Sequence, residues 1–258
     1  MAKSRATPSV YVGVHAMVTR EIQLASRRTL VRGLFLLSLA APIGFAGILL
    51  FRKAVESMME QQLDWDPIFT FLRIQCLPLG LLAFGLGAPA MIRDRDEKAL
   101  TLYAARPVTA TRYAIARVLA VGIPVATLLL VPGWAMLGLR MGILEDVSLG
   151  TTLLLGLKVL LSALPIAWAY GALTVAAGAF ASRLRWALLL ALFFFIVPDW
   201  IAHAAEFEGD VGPSGCAASL LKQLFETGDW STGLAAGGGL LIYGFLGFAA
   251  TAFCFRRG

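Results

Sequence analysis

The chain has 258 residues, 59% of them hydrophobic and only 15% charged, with a net charge of +6 and a mean hydropathy of +0.77. Water-soluble domains carry roughly a quarter charged residues, so the polar groups here are too few to cover an apolar core, and a soluble globular domain is excluded. The basic balance would point to nucleic acid in a soluble protein; in this chain it flanks apolar runs, and no nucleic-acid partner is expected.

Residues 10–28 come before the first apolar run. Val14, Val18, Ile22 and Ala25 recur at helical spacing, with Thr19, Arg20, Gln23 and Arg27 between them. That pattern fits an amphipathic helix at the headgroup boundary, and a basic juxtamembrane stop signal accounts for the same stretch equally well. No cleaved signal peptide is expected, because the first apolar run starts late and is long enough to anchor.

Windows 33–51, 74–92, 118–139 and 231–255 contain no Asp, Glu, Lys or Arg. Each is close to the ~20 residues that cross a hydrocarbon core of ~30 Å. Two more runs each carry one charge, Lys158 in the first and Asp199 in the second. A central charge costs about 2.5–3.5 kcal/mol and each Leu, Ile, Phe or Val returns about 0.3–0.6, so runs this apolar offset it. The expectation is an all-α integral membrane protein, one membrane domain over 1–258. Its six spans lie at about 33–51, 74–92, 114–139, 150–182, 186–204 and 233–255.

Of the 22 Lys and Arg, 16 fall in segments 1–32, 93–117, 183–185 and 256–257, and five in 52–73, 140–150 and 205–233. Basic residues concentrate on the cytoplasmic side. Both termini are therefore expected inside, which an even number of crossings requires. The Ala/Leu/Arg-rich composition suggests the inner (plasma) membrane of a bacterium.

Pro42, Pro78, Pro89, Pro124, Pro132, Pro165 and Pro198 lie in or at the ends of spans, where proline is tolerated and bends the helix. Cys76, Cys216 and Cys254 lack metal-ligand spacing, and no disulfide is expected. The outer loop 205–232 contains a Gly212-Pro213-Ser214-Gly215 turn, then Leu220, Leu221, Leu224 and Phe225 on a short amphipathic stretch. Trp200 and Trp230 flank it as interfacial anchors. Gly233 with Gly237, and Ala235 with Gly239, are small-xxx-small pairs that allow close helix contact.

The segment 93–112 is the most unusual. Arg93-Asp94-Arg95-Asp96-Glu97-Lys98 is a dense charge cluster, followed by one or two helical turns and a break at Pro107. Thr109 or Thr111 is placed to cap the next helix, and Asp94 and Lys98 are spaced as a helix ion pair. This reads as a short cytoplasmic helix joined to two membrane helices.

At these residues the chain resembles the type-2 permeases of ABC transporters. That family typically shows Glu-x-Gly-Thr-Leu-x-x-Leu-x-x-x-Pro-Val-x-x-x-x-Tyr-x-x-x-Lys after its second span. Glu97, Leu102, the run Ala105 to Val108 and Tyr113 match, with Arg117 in place of Lys; Ala99 and Leu100 depart from it. Thr19-Arg20-Glu21 and Ser26-Arg27-Arg28 are similar to the family's amphipathic lead-in. The resemblance implies that 93–112 is a coupling helix docked on a separate cytoplasmic ABC ATPase, with Asp94, Glu97, Leu100, Tyr103, Arg106 and Pro107 in the coupling segment. It also implies an exporter in which a second permease copy or a sister permease completes the pathway. ATP and Mg would be bound by the partner ATPase, and no cofactor is expected in this chain.

The sequence contains no Gly-x-x-x-x-Gly-Lys-Ser/Thr loop for ATP. Gly212-Pro-Ser214-Gly215 matches the Gly-x-Ser-Gly of rhomboid-like proteases, but no His follows it, His15 and His203 being the only two, and a serine nucleophile needs a placed base. No Asp-rich pair for prenyl diphosphate chemistry is present. A membrane assembly or scaffold subunit for metalloenzyme maturation is the remaining alternative. Lys158, Asp199 and His203 are candidate pathway residues because ionisable groups in spans default to function; snorkelling near span ends is the structural reading of the same residues.

The charge asymmetry fixes a topology that reporter fusions can read. Fusions after Gly142 and Gly209 are expected outside, and those after Arg95 and Arg183 inside. An inside signal at Gly209 overturns the six-span arrangement.

Overall fold

The structure, a computed structural model, describes residues 10–59, 67–99, 108–143, 148–206 and 210–257. Within them every regular element is helical. The elements are α1 (Val10–Ser26), α2 (Thr29–Met59), α3 (Pro67–Asp96), α4 (Ala110–Ile143), α5 (Leu149–Phe180), α6 (Leu184–Ala204), α7 (Pro213–Lys222) and α8 (Trp230–Arg257). One π-helical turn, Gln223–Thr227, extends α7. Six of these helices, α2 to α6 and α8, are long and apolar enough to cross a membrane.

Several helices run past the charge-free windows. α2 has 31 residues, about 46 Å at the usual rise, against a core of ~30 Å. Its extension carries Arg52 and Glu56, paired at 2.8 Å one turn apart. The charges that end a hydropathy window therefore do not end the helix. Thr109, rather than Thr111, caps α4: its Oγ1 accepts from the Arg112 backbone N–H at 3.3 Å.

α5 is the hub, packing against α3, α4, α6 and α8. Residues 169–179 are buried without interruption, so this helix has no lipid face there. Eight of these eleven positions are Gly, Ala or Thr, and small side chains are what allow it. A Cβ on Gly178 would lie 2.4 Å from the Ala88 carbonyl oxygen of α3, and one on Gly247 of α8 would lie 2.7 Å from the Ala172 carbonyl carbon. On the α4 side, Gly171 meets the Val118 carbonyl in the same way, at 3.0 Å. Three backbones thus rest directly on α5.

α2 is attached more lightly. Its main polar link is Gln75 of α3, buried, whose Nε2 donates to Ser38 O of α2 at 3.3 Å and to Leu128 O of α4 at 3.2 Å. The segment after α6 is more embedded than a loop. Cys216, Ala217, Leu220, Leu221 and Leu224 are buried, and α7 packs on α8 at its small residues, with Leu220 against Gly237 and Cys216 Sγ against Gly239. Gly233, Gly237 and Gly239 of the small-xxx-small pairs are therefore covered by the same chain, and Ala235 is exposed. The three cysteines are free thiols.

Gly178→Ala is expected to lower thermal stability in detergent by about 1–3 kcal/mol, the cost of overpacking a filled site. Gly44→Ala, where nothing lies within 4 Å of the added Cβ, should be neutral or slightly stabilising. Equal melting temperatures for the two variants would contradict the direct backbone contact.

Candidate functional site

The charged segment leaves the bundle where α1, the end of α3, the start of α4 and the end of α8 converge. Tyr113 and Arg117 lie one turn apart on α4, so they share a face, and the Arg117 guanidinium sits 5.3 Å from the Tyr113 ring centre. Asp94, in the last turn of α3, faces them. Its Oδ2 accepts from the Tyr113 hydroxyl at 2.5 Å and from Arg117 Nη2. Glu21 of α1 completes the cluster: Oε2 accepts from Arg93, and Oε1 lies 2.7 Å from Arg117 Nη1. That second approach is an ion-pair contact outside hydrogen-bond geometry, and Arg117 Nε has no acceptor among the described residues.

The Arg117 and Asp94 side chains are only 3% and 4% exposed. Isolated charges at such depth would be prohibitive; here the carboxylates of Glu21 and Asp94 partner the guanidiniums of Arg93 and Arg117, while Arg28 beside them donates to the Gly85 carbonyl at 2.9 Å. Burial resists ionisation of Glu21, but Arg117 and Arg93 together outweigh it and hold its carboxyl below the ordinary range. Tyr113 also stacks on Phe255 of α8, ring centres 4.5 Å apart. On the other side of α3, Arg95 donates to the Ala181 carbonyl at 2.7 Å and to that of Gly178, meeting the carbonyl end of α5 with positive charge, as the helix dipole favours. The two arms of the segment are thereby fastened to each other and to three further helices, α1, α5 and α8.

Within the coupling segment, Leu100, Tyr103, Arg106 and Pro107 lie outside the described residues. Glu97 is exposed, 4.0 Å from Arg20 of α1. Asp94 differs from expectation: it is buried and pairs with Arg117 and Tyr113 rather than Lys98, so it fastens the arm instead of facing a soluble partner. Lys98 has φ 54°, a left-handed residue that turns the chain out of α3 as a helix-ending residue does.

No protein-family model matches the chain, and no curated protein sequence matches it.

At the opposite end, Asp199 is engaged. Its Oδ1 accepts from Gly212 N at 2.5 Å, and its Oδ2 from Gly215 N at 2.9 Å. The Ser214 hydroxyl lies 2.6 Å from that same Oδ2 and 2.8 Å from Phe195 O. Asp199 thus caps α7, a carboxylate at a helix N-terminus. Gly212 and Gly215 are required by closeness, since a Cβ on either would fall under 3 Å from the carboxylate. Lys158 points elsewhere, its Nζ 5.6 Å from the Trp230 ring centre, and His203 is exposed in the last turn of α6. Asp199 and Lys158 thus serve separate contacts, and His203 stays exposed. No group of three potential metal ligands occurs among the described residues.

The Glu21 network escaped the sequence reading, although its members stood in the charged segment and in the lead-in. The four-residue step from Tyr113 to Arg117 was the available signal. Glu21→Gln is expected to destabilise the protein by about 3 kcal/mol, as removing one partner of a buried pair does. Adding Arg93→Gln should cost less than the sum of the two single changes. Because the folded Glu21 is held below its ordinary 4.5, its stabilisation is present above that pH and disappears as pH falls through the lowered value. Unfolding curves for wild type and Glu21→Gln should therefore converge in acid and stay apart at neutral pH.

Proposed function

We propose that this protein is the permease subunit of an ATP-driven exporter of the type-2 ABC kind, acting with a separate ATPase that binds ATP and Mg. The observation that carries the reading is the buried Glu21–Arg93–Asp94–Tyr113–Arg117 network at the base of the 93–112 segment. A docking helix transmits movement only if its two arms move as one body with the membrane helices. Here the outgoing arm, the returning arm and the interfacial helix share one set of charges, while Glu97 and Arg20 remain exposed beside the segment. In this reading the cytoplasm lies on the charged side, both termini are inside, and two permease subunits enclose the pathway in a bacterial inner membrane.

The test is Tyr103→Ala combined with Glu97→Lys. Neither residue lies in a span, so insertion and expression should stay near normal. Interface anchors contribute about 2 kcal/mol or more each, so ATPase co-purification and substrate-linked ATP hydrolysis should fall steeply. Unchanged ATPase recruitment and full transport would reduce the segment to a topology signal. Vigorous ATP hydrolysis by the isolated chain would remove the reading altogether.

A further inference from the structure

An apolar groove of about 590 Å³ runs between α4, α5 and α8, lined by Gly122, Leu164, Trp168, Gly238 and Leu241 and reaching Trp230 near its end. Its volume falls within the roughly 300–1,000 Å³ of small-molecule sites. Along α8, the stretch from Trp230 to Leu241 rises about 16 Å. Half of a hydrocarbon core of ~30 Å is about 15 Å. The groove is thus as deep as one leaflet and opens on the membrane.

Lys158 stands at the Trp230 end. It shares a helical face with Leu161, Pro165 and Trp168 of the lining, and its Nζ lies over the Trp230 ring. No described carboxylate comes within salt-bridge distance of it, in contrast to Arg117 and Arg93 at the other end. α5 spans 32 residues, about 48 Å, so each end projects about 9 Å beyond a ~30 Å core. Lys158, nine residues in, then sits about 5 Å below the headgroups, within reach of them for a flexible stem that snorkels.

We propose that the groove holds one acyl chain of an anionic phospholipid in the leaflet that borders the start of α8, with Lys158 meeting the headgroup phosphate. A long apolar slot one leaflet deep selects a chain, and a lysine at its mouth with no described carboxylate beside it selects negative charge. A second copy of this chain at the site would have to bring a carboxylate of its own to Lys158 to offset its desolvation. The inference needs only the membrane setting and is independent of the ATPase.

The experiment uses the full chain reconstituted in phosphatidylcholine vesicles containing a minor fraction of phosphatidylglycerol, extracted gently and read by native mass spectrometry for retained lipid. Wild type should retain one phosphatidylglycerol per chain, enriched over its share in the vesicle. Lys158→Gln should lower that enrichment about fivefold, the worth of one lysine against anionic lipid, and Lys158→Arg should keep it. Gly238→Leu, where an added Cβ meets nothing within 4 Å, should fill the groove and abolish retention of either lipid while the fold persists. Retention in proportion to vesicle composition, or unchanged enrichment in Lys158→Gln, overturns the proposal. So does a disulfide between two copies formed through Gly238→Cys in the vesicles.

Discussion

Direct contact of three backbones with the 169–179 stretch of α5 is the constraint that the bundle depends on. Lipid tails are as apolar as leucine, so helices gain little from hiding apolar surface from one another. Dispersion between closely fitted surfaces takes over, and it requires side chains small enough to let the axes approach. Once Gly87 and Ala88 of α3, Val118 and Gly122 of α4 and Gly247 of α8 rest on α5, little freedom remains in how the ends of these helices meet. The convergence of Asp94, Tyr113, Arg117 and Phe255 follows from contacts made within about two turns of them.

The charged end then works on a different principle. α1 has no such glycine seam with the hub; it packs along α4, and Glu21 ties it to α3 and α4. Charge pairs in a low-dielectric setting are strong but depend on geometry, whereas the glycine seams tolerate almost no sliding. The fold therefore combines a stiff centre with a lead-in helix that packs along α4 and is pinned to α3 and α4 by a few directional bonds. A partner acting on the segment between α3 and α4 would feel both at once.

The membrane class, the six long helices and a helix over the lead-in stretch were legible in the sequence because each is written in local composition. Helix lengths were underestimated, since Arg52 and Glu56 continue α2 beyond the apolar window instead of stopping it. The 205–232 stretch was readable as turn plus amphipathic helix, yet its burial depended on Asp199 reaching across to Gly212 and Gly215. Such a contact joins residues more than a dozen apart without any periodic trace. Asp94 shows the same limit: in sequence it belongs to a solvated charge cluster, and in space it turns inward to Arg117.

Gln75 has a consequence for how the chain is made. The ribosome delivers α2, α3 and α4 before the α5 seam exists, and chains assemble from the N-terminal side as they emerge. An amide from the middle helix that donates to carbonyls of both neighbours can gather those three helices by itself, interhelical hydrogen bonds in lipid being worth about 0.6–2 kcal/mol. The early helices would then wait as a loosely gathered trio, presenting the glycines of α3 and α4 to the fourth helix that follows and locks them.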